Sequence, residues 1–437
     1  MSFLTSPQQI TRRPTTAHSC RETDLLRHFR YHIGPWMDVG DPECALGVQT
    51  LLLSRSNRPL QAAILALSAG QRSLLSIPYH GEDISNGIRF RKEAEESLEL
   101  QPDLVRQAGH AILLLQDLLP LGLQRWRGWI ESAGSYLSPL SMTEDLGEAL
   151  FWLHFRLGML CGDELFDFGY TDDSLDLASS IATSKAPSIA FRSFLHRDGS
   201  PIHATRLNMH SRTVHRVYDH ALCLLGHSLA LIYGASDVNS PQAAGSPELA
   251  AFPSLRQSHF LSQWTFLWTD CQKWYNERPV DAQQIVDVRG GEADQIDPDH
   301  SSSFPILIFT TPMALVANAV YHITSLLLLT HKPRLLKSLP GPRCFTSHIW
   351  HAQSIAGIAA SNDSPEQWDP ILIASLLLIA RDMSHESQQA VLLERLRRIT
   401  ATTGINLKQE TEALQSVWRI ARYDEEPDED ADDSIMS

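Results

Sequence analysis

Between Ser347 and Arg381 the chain reads SHIWHAQSIAGIAASNDSPEQWDPILIASLLLIAR. This stretch narrows the possible folds more than any other. Trp350 opens a segment of helical spacing, the pattern breaks at Asn362–Pro365, and Trp368 opens a second segment that is apolar almost all round. A helix hydrophobic on every side belongs in the middle of a helical core, not on its surface. The pair therefore predicts a hub on which other helices pack. It carries no obvious reactive group, which points away from an enzyme. Its polar break at Asn362–Pro365 is the expected place for a functional surface.

The rest of the chain agrees with an all-α reading. Leu25, Phe29 and Ile33 make one buried stripe in a helix from Thr23, with a stop expected at Gly34-Pro35. Helical patterns follow at 58–75, 85–98, 103–118, 121–136, 142–161, 205–233, 255–276 and 312–331. Beyond the hub they resume at 386–403 and 407–422, while 277–304 reads as a long polar loop. Alternating β patterns are nearly absent and no fixed-period repeat is present, so one large irregular helical array is expected over residues 21–422. Residues 1–20, rich in Ser, Thr and Pro, read as a disordered leader, and 423–437 as an acidic disordered tail.

A chain of 437 residues buries a large core without staples. Its six cysteines, at 20, 44, 161, 223, 271 and 344, lie at least 24 residues apart, so no zinc-ligand cluster is present. The N-terminus has no apolar core of signal-peptide length. Met313–Leu329, interrupted by Asn318, His322, Thr324 and Ser325, reads as a buried helix rather than a membrane span. Of the net charge of −15, eight negative charges sit in Asp424–Asp433, so the body is mildly acidic and has no basic footprint for DNA. The tail lacks the interleaved large hydrophobics of acidic activation segments, and solvation is the favoured reading.

Several strings imitate catalytic motifs. Gly226-His-Ser-Leu-Ala230 is one residue from a nucleophile elbow, with Ser228 as the would-be nucleophile of a serine hydrolase. That motif needs a strained turn between strand and helix, and here the preceding residues are helical in pattern. Asp172-Asp173-Ser-Leu-Asp176 spells the D-D-x-x-D with which terpene-synthase-type lyases hold magnesium. The same letters suit a helix N-terminus, and no partner motif follows downstream. The pairs His28/His32, His210/His215 and His348/His351 lack the glutamate of H-E-x-x-H, and His196-Arg197-Asp198 stands without the rest of a kinase signature. No catalytic, cofactor-binding or metal-binding residue is assigned. The tryptophans, including Trp264, Trp268, Trp274 and Trp418, are expected as core and helix-crossing anchors.

Taken in order, several segments resemble the fungal-specific regulatory domain of zinc-cluster transcription factors. Thr23–Val39 (TDLLRHFRYHIGPWMDV) with Leu60–Gln71 (LQAAILALSAGQ) resembles its opening, and Trp268–Pro279 (WTDCQKWYNERP) is similar to its W…W…RP segment. Tyr321–Arg334 (YHITSLLLLTHKPR), Trp350–Asn362 (WHAQSIAGIAASN) and Ile379–Gly404 resemble its later helices. The resemblance spans roughly residues 21–422. It implies an all-helical, non-enzymatic domain in fungal transcriptional control, often of metabolic genes, located in the nucleus. It also implies protein partners, as a homodimer or a heterodimer with an intact zinc-cluster factor, and a small-molecule effector. The sequence departs from the family where a zinc cluster of six closely spaced cysteines would precede this domain, since only Cys20 does so. Direct DNA binding and zinc are therefore not expected of this chain.

Overall fold

The computed structural model describes residues 19–75, 80–121, 145–160, 214–233, 253–289, 304–339, 341–364 and 369–425. Helix α1 (Cys20–His28) begins one turn before the expected start, because Ser19 and Glu22 form a reciprocal capping box. The chain does not stop at Gly34-Pro35. It passes through a π turn (Phe29–Ile33) into the short α2 (Gly34–Met37). The wider turn lets the Gly34 N–H reach the Phe29 carbonyl, and Pro35 falls in the first turn of α2, where a missing N–H is harmless. A second π turn (Ala45–Gln49) leads into α3 (Thr50–Ser54). The two turns meet backbone to backbone: a Cβ on Gly34 would lie 2.9 Å from the Gly47 Cα.

Asn57 caps α4 (Arg58–Leu74), which is buried without interruption from Leu60 to Ala69. Four alanines in that run let α5 (His80–Leu98) and α6 (Asp103–Leu118) pack closely on it. Helices α7 (Asp145–Leu160), α8 (Val214–Tyr233) and α9 (Pro253–Glu277) follow. The expected polar loop after α9 contains half of a two-stranded antiparallel sheet, β1 (Val286–Val288) paired with β2 (Ile306–Ile308). Three-residue strands this far apart leave no local periodicity to read.

Helix α10 (Pro312–Thr330) is long and apolar enough to cross a membrane by length and composition. In the structure Ala314 to Leu329 are all buried. They pack against α8, α9 and the hub helices α11 (His348–Ser361) and α12 (Pro370–Ala380). Within α12, Leu372, Ile373 and Leu377 are fully buried, and burying each such side chain stabilises by about 1.5–3 kcal/mol. The all-round hydrophobic helix thus occupies the core that its composition demands. Helices α13 (Glu386–Thr403) and α14 (Lys408–Glu425) return to the N-terminal part. There Gln71 Nε2 donates to the Thr403 carbonyl at 3.0 Å, and the Asn406 N–H donates to the Leu119 carbonyl at 3.0 Å.

Buried apolar residues from Leu25 to Trp418 form one continuous core. The described residues are 77% helical, which makes the fold all-α. Residues 1–18 of the expected leader, 426–437 of the expected tail, the expected helix at 122–136 and residues 365–368 lie outside the described residues; the inner ends of leader and tail are helical, Cys20 in α1 and residues 423–425 in α14.

The tryptophans fasten helices to one another. Trp264 Nε1 donates to the Leu328 carbonyl of α10 at 2.9 Å, Trp274 Nε1 to Val217 of α8 at 2.8 Å, and Trp418 Nε1 to Ala380 of α12 at 2.9 Å. Each ring supplies apolar area and a directional bond to a helix carbonyl.

Candidate functional site: a pocket beside a buried histidine pair

The W…W…RP segment locks α9 onto α10. The Arg278 guanidinium donates to Asn318 Oδ1 and lies 3.6 Å from the Tyr275 ring centroid. Asn318 Nδ2 in turn donates to the Ala282 and Ala314 carbonyls at 2.8 Å and 2.7 Å. Tyr275 stacks on Tyr321 and meets Phe345 and Trp350 edge-on. On the far side of Trp350 the Arg289 guanidinium lies 4.9 Å from its ring and donates to Ser354 Oγ at 3.0 Å.

Inside this aromatic wall, His322 of α10 and His351 of α11 meet with their Nδ1 atoms 3.0 Å apart. The chemistry assigns the protons. His351 Nε2 faces the Phe345 carbonyl at 3.0 Å, and a carbonyl only accepts, so Nε2 carries hydrogen. His351 Nδ1 is then the acceptor and His322 Nδ1–H the donor. Both rings are neutral in this arrangement. Burial holds His351 down at about 4 and His322 well below the ordinary imidazole value.

One turn beyond His322, the ends of four helices part. The last turn of α10, the first turns of α11, the end of α12 and the start of α13 enclose a pocket of about 320 Å³. Leu326, Leu327, Ile379 and Met383 form its floor, each less than 10% exposed. Thr330, His348, Asp382 and Ser384 stand exposed around its mouth. Thr330 Oγ1 donates back to the Leu326 carbonyl and His331 Nδ1 to the Leu327 carbonyl, which closes the frayed end of α10 at the rim. Asp382 is the one acidic or basic side chain, histidine aside, among the lining residues. The volume falls within the range of pockets that take small organic molecules.

The polar break of the hub has a structural task. Ser361 Oγ accepts the Leu307 N–H, and Asn362 Oδ1 accepts the Phe309 N–H, while Asn362 Nδ2 donates to the Leu307 carbonyl at 2.7 Å. The end of α11 thus satisfies the free edge of β2 in place of a third strand. Asp363 pairs with Arg395 and Arg398 of α13. The functional surface expected at Asn362–Pro365 is, over its described residues, a joint between α11, β2 and α13.

Ser228 is fully buried in the middle of α8, and its Oγ has no hydrogen-bond partner among the described residues. A hydroxyl inside a continuous helix is not lifted on a strained turn, so the geometry a nucleophile elbow needs is not met. The His28 and His32 rings stack at 4.7 Å, but His28 Nε2 is bonded to Gln71 Oε1 at 2.8 Å rather than turned to a shared metal position. His348 and His351 separate, one to the pocket mouth and one to the buried pair. His215 lies with Nε2 3.4 Å from Asp219 Oδ2, and burial raises that carboxyl well above the usual range. Among the described residues no group of three or more His, Cys, Asp or Glu side chains is placed to hold a metal. Asp172, Asp173 and Asp176, His196–Asp198 and His210 lie outside the described residues.

Sequence reasoning missed the pocket and the His322–His351 pair. The partners are 29 residues apart on different helices, and local spacing pairs His351 only with His348 of its own helix. Comparison of the chain with protein-family models, with curated proteins and with solved structures finds no match.

Proposed function

We propose that this chain is a helical regulatory protein of the fungal transcription-factor type, modulating expression of metabolic genes through protein partners in the nucleus. In this reading it is not an enzyme, and the pocket at the ends of α10–α13 is its effector site. One observation carries the reading. Three segments that resemble consecutive parts of that regulatory domain pack on one another around a single centre. Trp268–Pro279 grips α10 through Arg278 and Asn318, Tyr321–Arg334 supplies His322 with Leu326 and Leu327 of the pocket floor, and Trp350–Asn362 supplies His351 with Ala352 and Gln353 of the pocket wall. A ligand there touches four helices at once, and so can bias how they pack.

The test is deletion of the gene followed by transcript profiling and chromatin association of the tagged protein. Altered transcripts in a defined set of metabolic genes, with chromatin association dependent on a partner, are expected. Unchanged transcripts would overturn the reading. Two further results would also do so: turnover of prenyl diphosphates with magnesium, or fluorophosphonate labelling that Ser228→Ala abolishes.

A further inference from the structure

We infer that the pocket between α10, α11, α12 and α13 binds a lipophilic small molecule that is neutral or carries a single positive charge, and rejects anions. The inference deepens the effector reading above and rests on it only for the biological role of the ligand. The floor and the mouth differ in chemistry. Leu326, Leu327, Ile379 and Met383 offer a ligand no hydrogen-bonding side-chain group, so the inserted part must be apolar. Around that floor the lining offers the hydroxyls of Thr330 and Ser384, the imidazoles of His331 and His348, the amides of Gln353 and Gln388, and the carboxylate of Asp382. Thr330, His348, Asp382 and Ser384 are all exposed, so the ligand's polar end keeps water while its body is covered.

Charge decides the class. No lysine or arginine lines the pocket, and Asp382 is the one carboxylate among its lining residues. A sulfonate, phosphate or carboxylate on the inserted body would lose hydration without gaining a lysine or arginine partner, and would meet a like charge at the rim. Phosphorylated metabolites and acyl anions are therefore poor occupants. A hydroxylated or amino-bearing apolar molecule meets complementary groups at the mouth and loses nothing at the floor.

Two fluorescent probes with the same aromatic body separate these cases: N-phenyl-1-naphthylamine, which is neutral, and 8-anilinonaphthalene-1-sulfonate, which adds only a sulfonate. Titrated into the full chain, the neutral probe is expected to bind saturably and at least about tenfold more tightly than the anion. Ala352→Trp fills the pocket from α11, and Ser384→Trp plugs it from an exposed rim position that should fold even where the first variant does not. Each is expected to weaken the neutral probe by about tenfold or more, with the helical circular dichroism retained. Asp382→Lys should raise affinity for the sulfonate by about fivefold and leave the neutral probe within twofold. Equal or tighter binding of the sulfonate to the parent chain at a site that the tryptophans block would overturn the inference. So would neutral-probe binding that neither tryptophan disturbs. The two readings fail separately: selective probe binding with unchanged transcripts in the deletion strain sinks the regulator reading and leaves the ligand class standing. Altered transcripts with an anion-selective pocket do the reverse.

Discussion

The joint between α7, α12 and the N-terminal turn rests on Arg156, and removing it is the sharpest test of how the hub is held. Arg156 Nη1 lies 2.5 Å from Asp369 Oδ2, and its Nη2 donates to the Met37 carbonyl at 2.6 Å. Asp369 is fully buried, and its other oxygen caps α12 by accepting the Ile371 N–H at 2.9 Å. Replacing Arg156 by Met keeps much of the volume and deletes the charge. The Asp369 carboxylate is then buried without its cation, and the Met37 carbonyl loses a donor. Breaking a buried pair from one side costs about 3–5 kcal/mol. Arg156→Lys keeps the charge, but one ammonium head cannot reproduce two contacts made by separate guanidinium nitrogens, so a loss of about 1–2 kcal/mol is expected. The informative variant is the double one, Arg156→Met with Asp369→Asn. Asparagine caps a helix about as well as aspartate and carries no charge to strand. The double variant is therefore expected to recover most of what Arg156→Met loses. Urea unfolding followed by circular dichroism measures all four corners of the cycle. A cost below about 1 kcal/mol for Arg156→Met, or a double variant that loses the sum of the two singles, would refute the reasoning.

Three further outcomes follow from the same geometry. Gly357→Ala gains about 1 kcal/mol of helix propensity, but its Cβ would lie 2.4 Å from the Pro305 carbonyl oxygen. Pushing β2 off α11 costs about 1–3 kcal/mol, so a net loss is expected, with faster hydrogen exchange at the Leu307 and Phe309 amides; a variant as stable as the parent with unchanged exchange would count against the contact. Burial holds His28 and His351 at about 4 and His322 well below 6.5, so the unfolded chain takes up these protons first and stability should rise with pH between about 4 and 6.5. The paired variant His322→Leu, His351→Leu should flatten that rise in melting temperature, and an unchanged slope would sink the assignment. Asp38 works in the opposite sense: burial raises its carboxyl to about 7 although the Leu46 and Gly47 amides donate to it, so the native state holds its proton more tightly and this group lowers stability as pH rises from about 4 to 7. Asp38→Asn keeps an acceptor for those amides and should match the parent near pH 4 and exceed it at pH 8; a variant weaker at pH 8 than at pH 4, relative to the parent, would contradict this.

Local pattern was enough for most of the helices among the described residues. The all-round apolarity of Pro370–Ala380 required a core position, and the structure leaves its side chains buried apart from the partly exposed Leu378. The periodicity at 103–118 and 386–403 matches α6 and α13 to the residue. Trp264, Trp274 and Trp418, read as helix-crossing anchors, do cross helices, each donating its indole N–H to a carbonyl of another helix. What failed was whatever depended on a neighbour. Gly34-Pro35 reads as a stop until the π turn before it supplies a different register, and the π turn is packed against Gly47. Asn362 reads as a surface loop until β2 arrives to use both ends of its amide.

The candidate site divides along the same line. Every residue of it was visible as a letter, and none was visible as a site. Hydrophobic spacing determines that α10, α11, α12 and α13 exist and which faces they bury, because each helix has to hide its own apolar surface wherever it lies. It does not determine where their ends part, which decides that Leu326 and Ile379 share a floor and that His348 and Asp382 share a mouth. Nor does it bring His322 to His351, since two imidazoles on separate helices become a donor and an acceptor only once packing has removed water from both. The hub, its helices and the all-α class come from the sequence by itself. The pocket, the histidine pair and the edge of β2 come from tertiary packing, because they are relations between helices and not properties of any one of them.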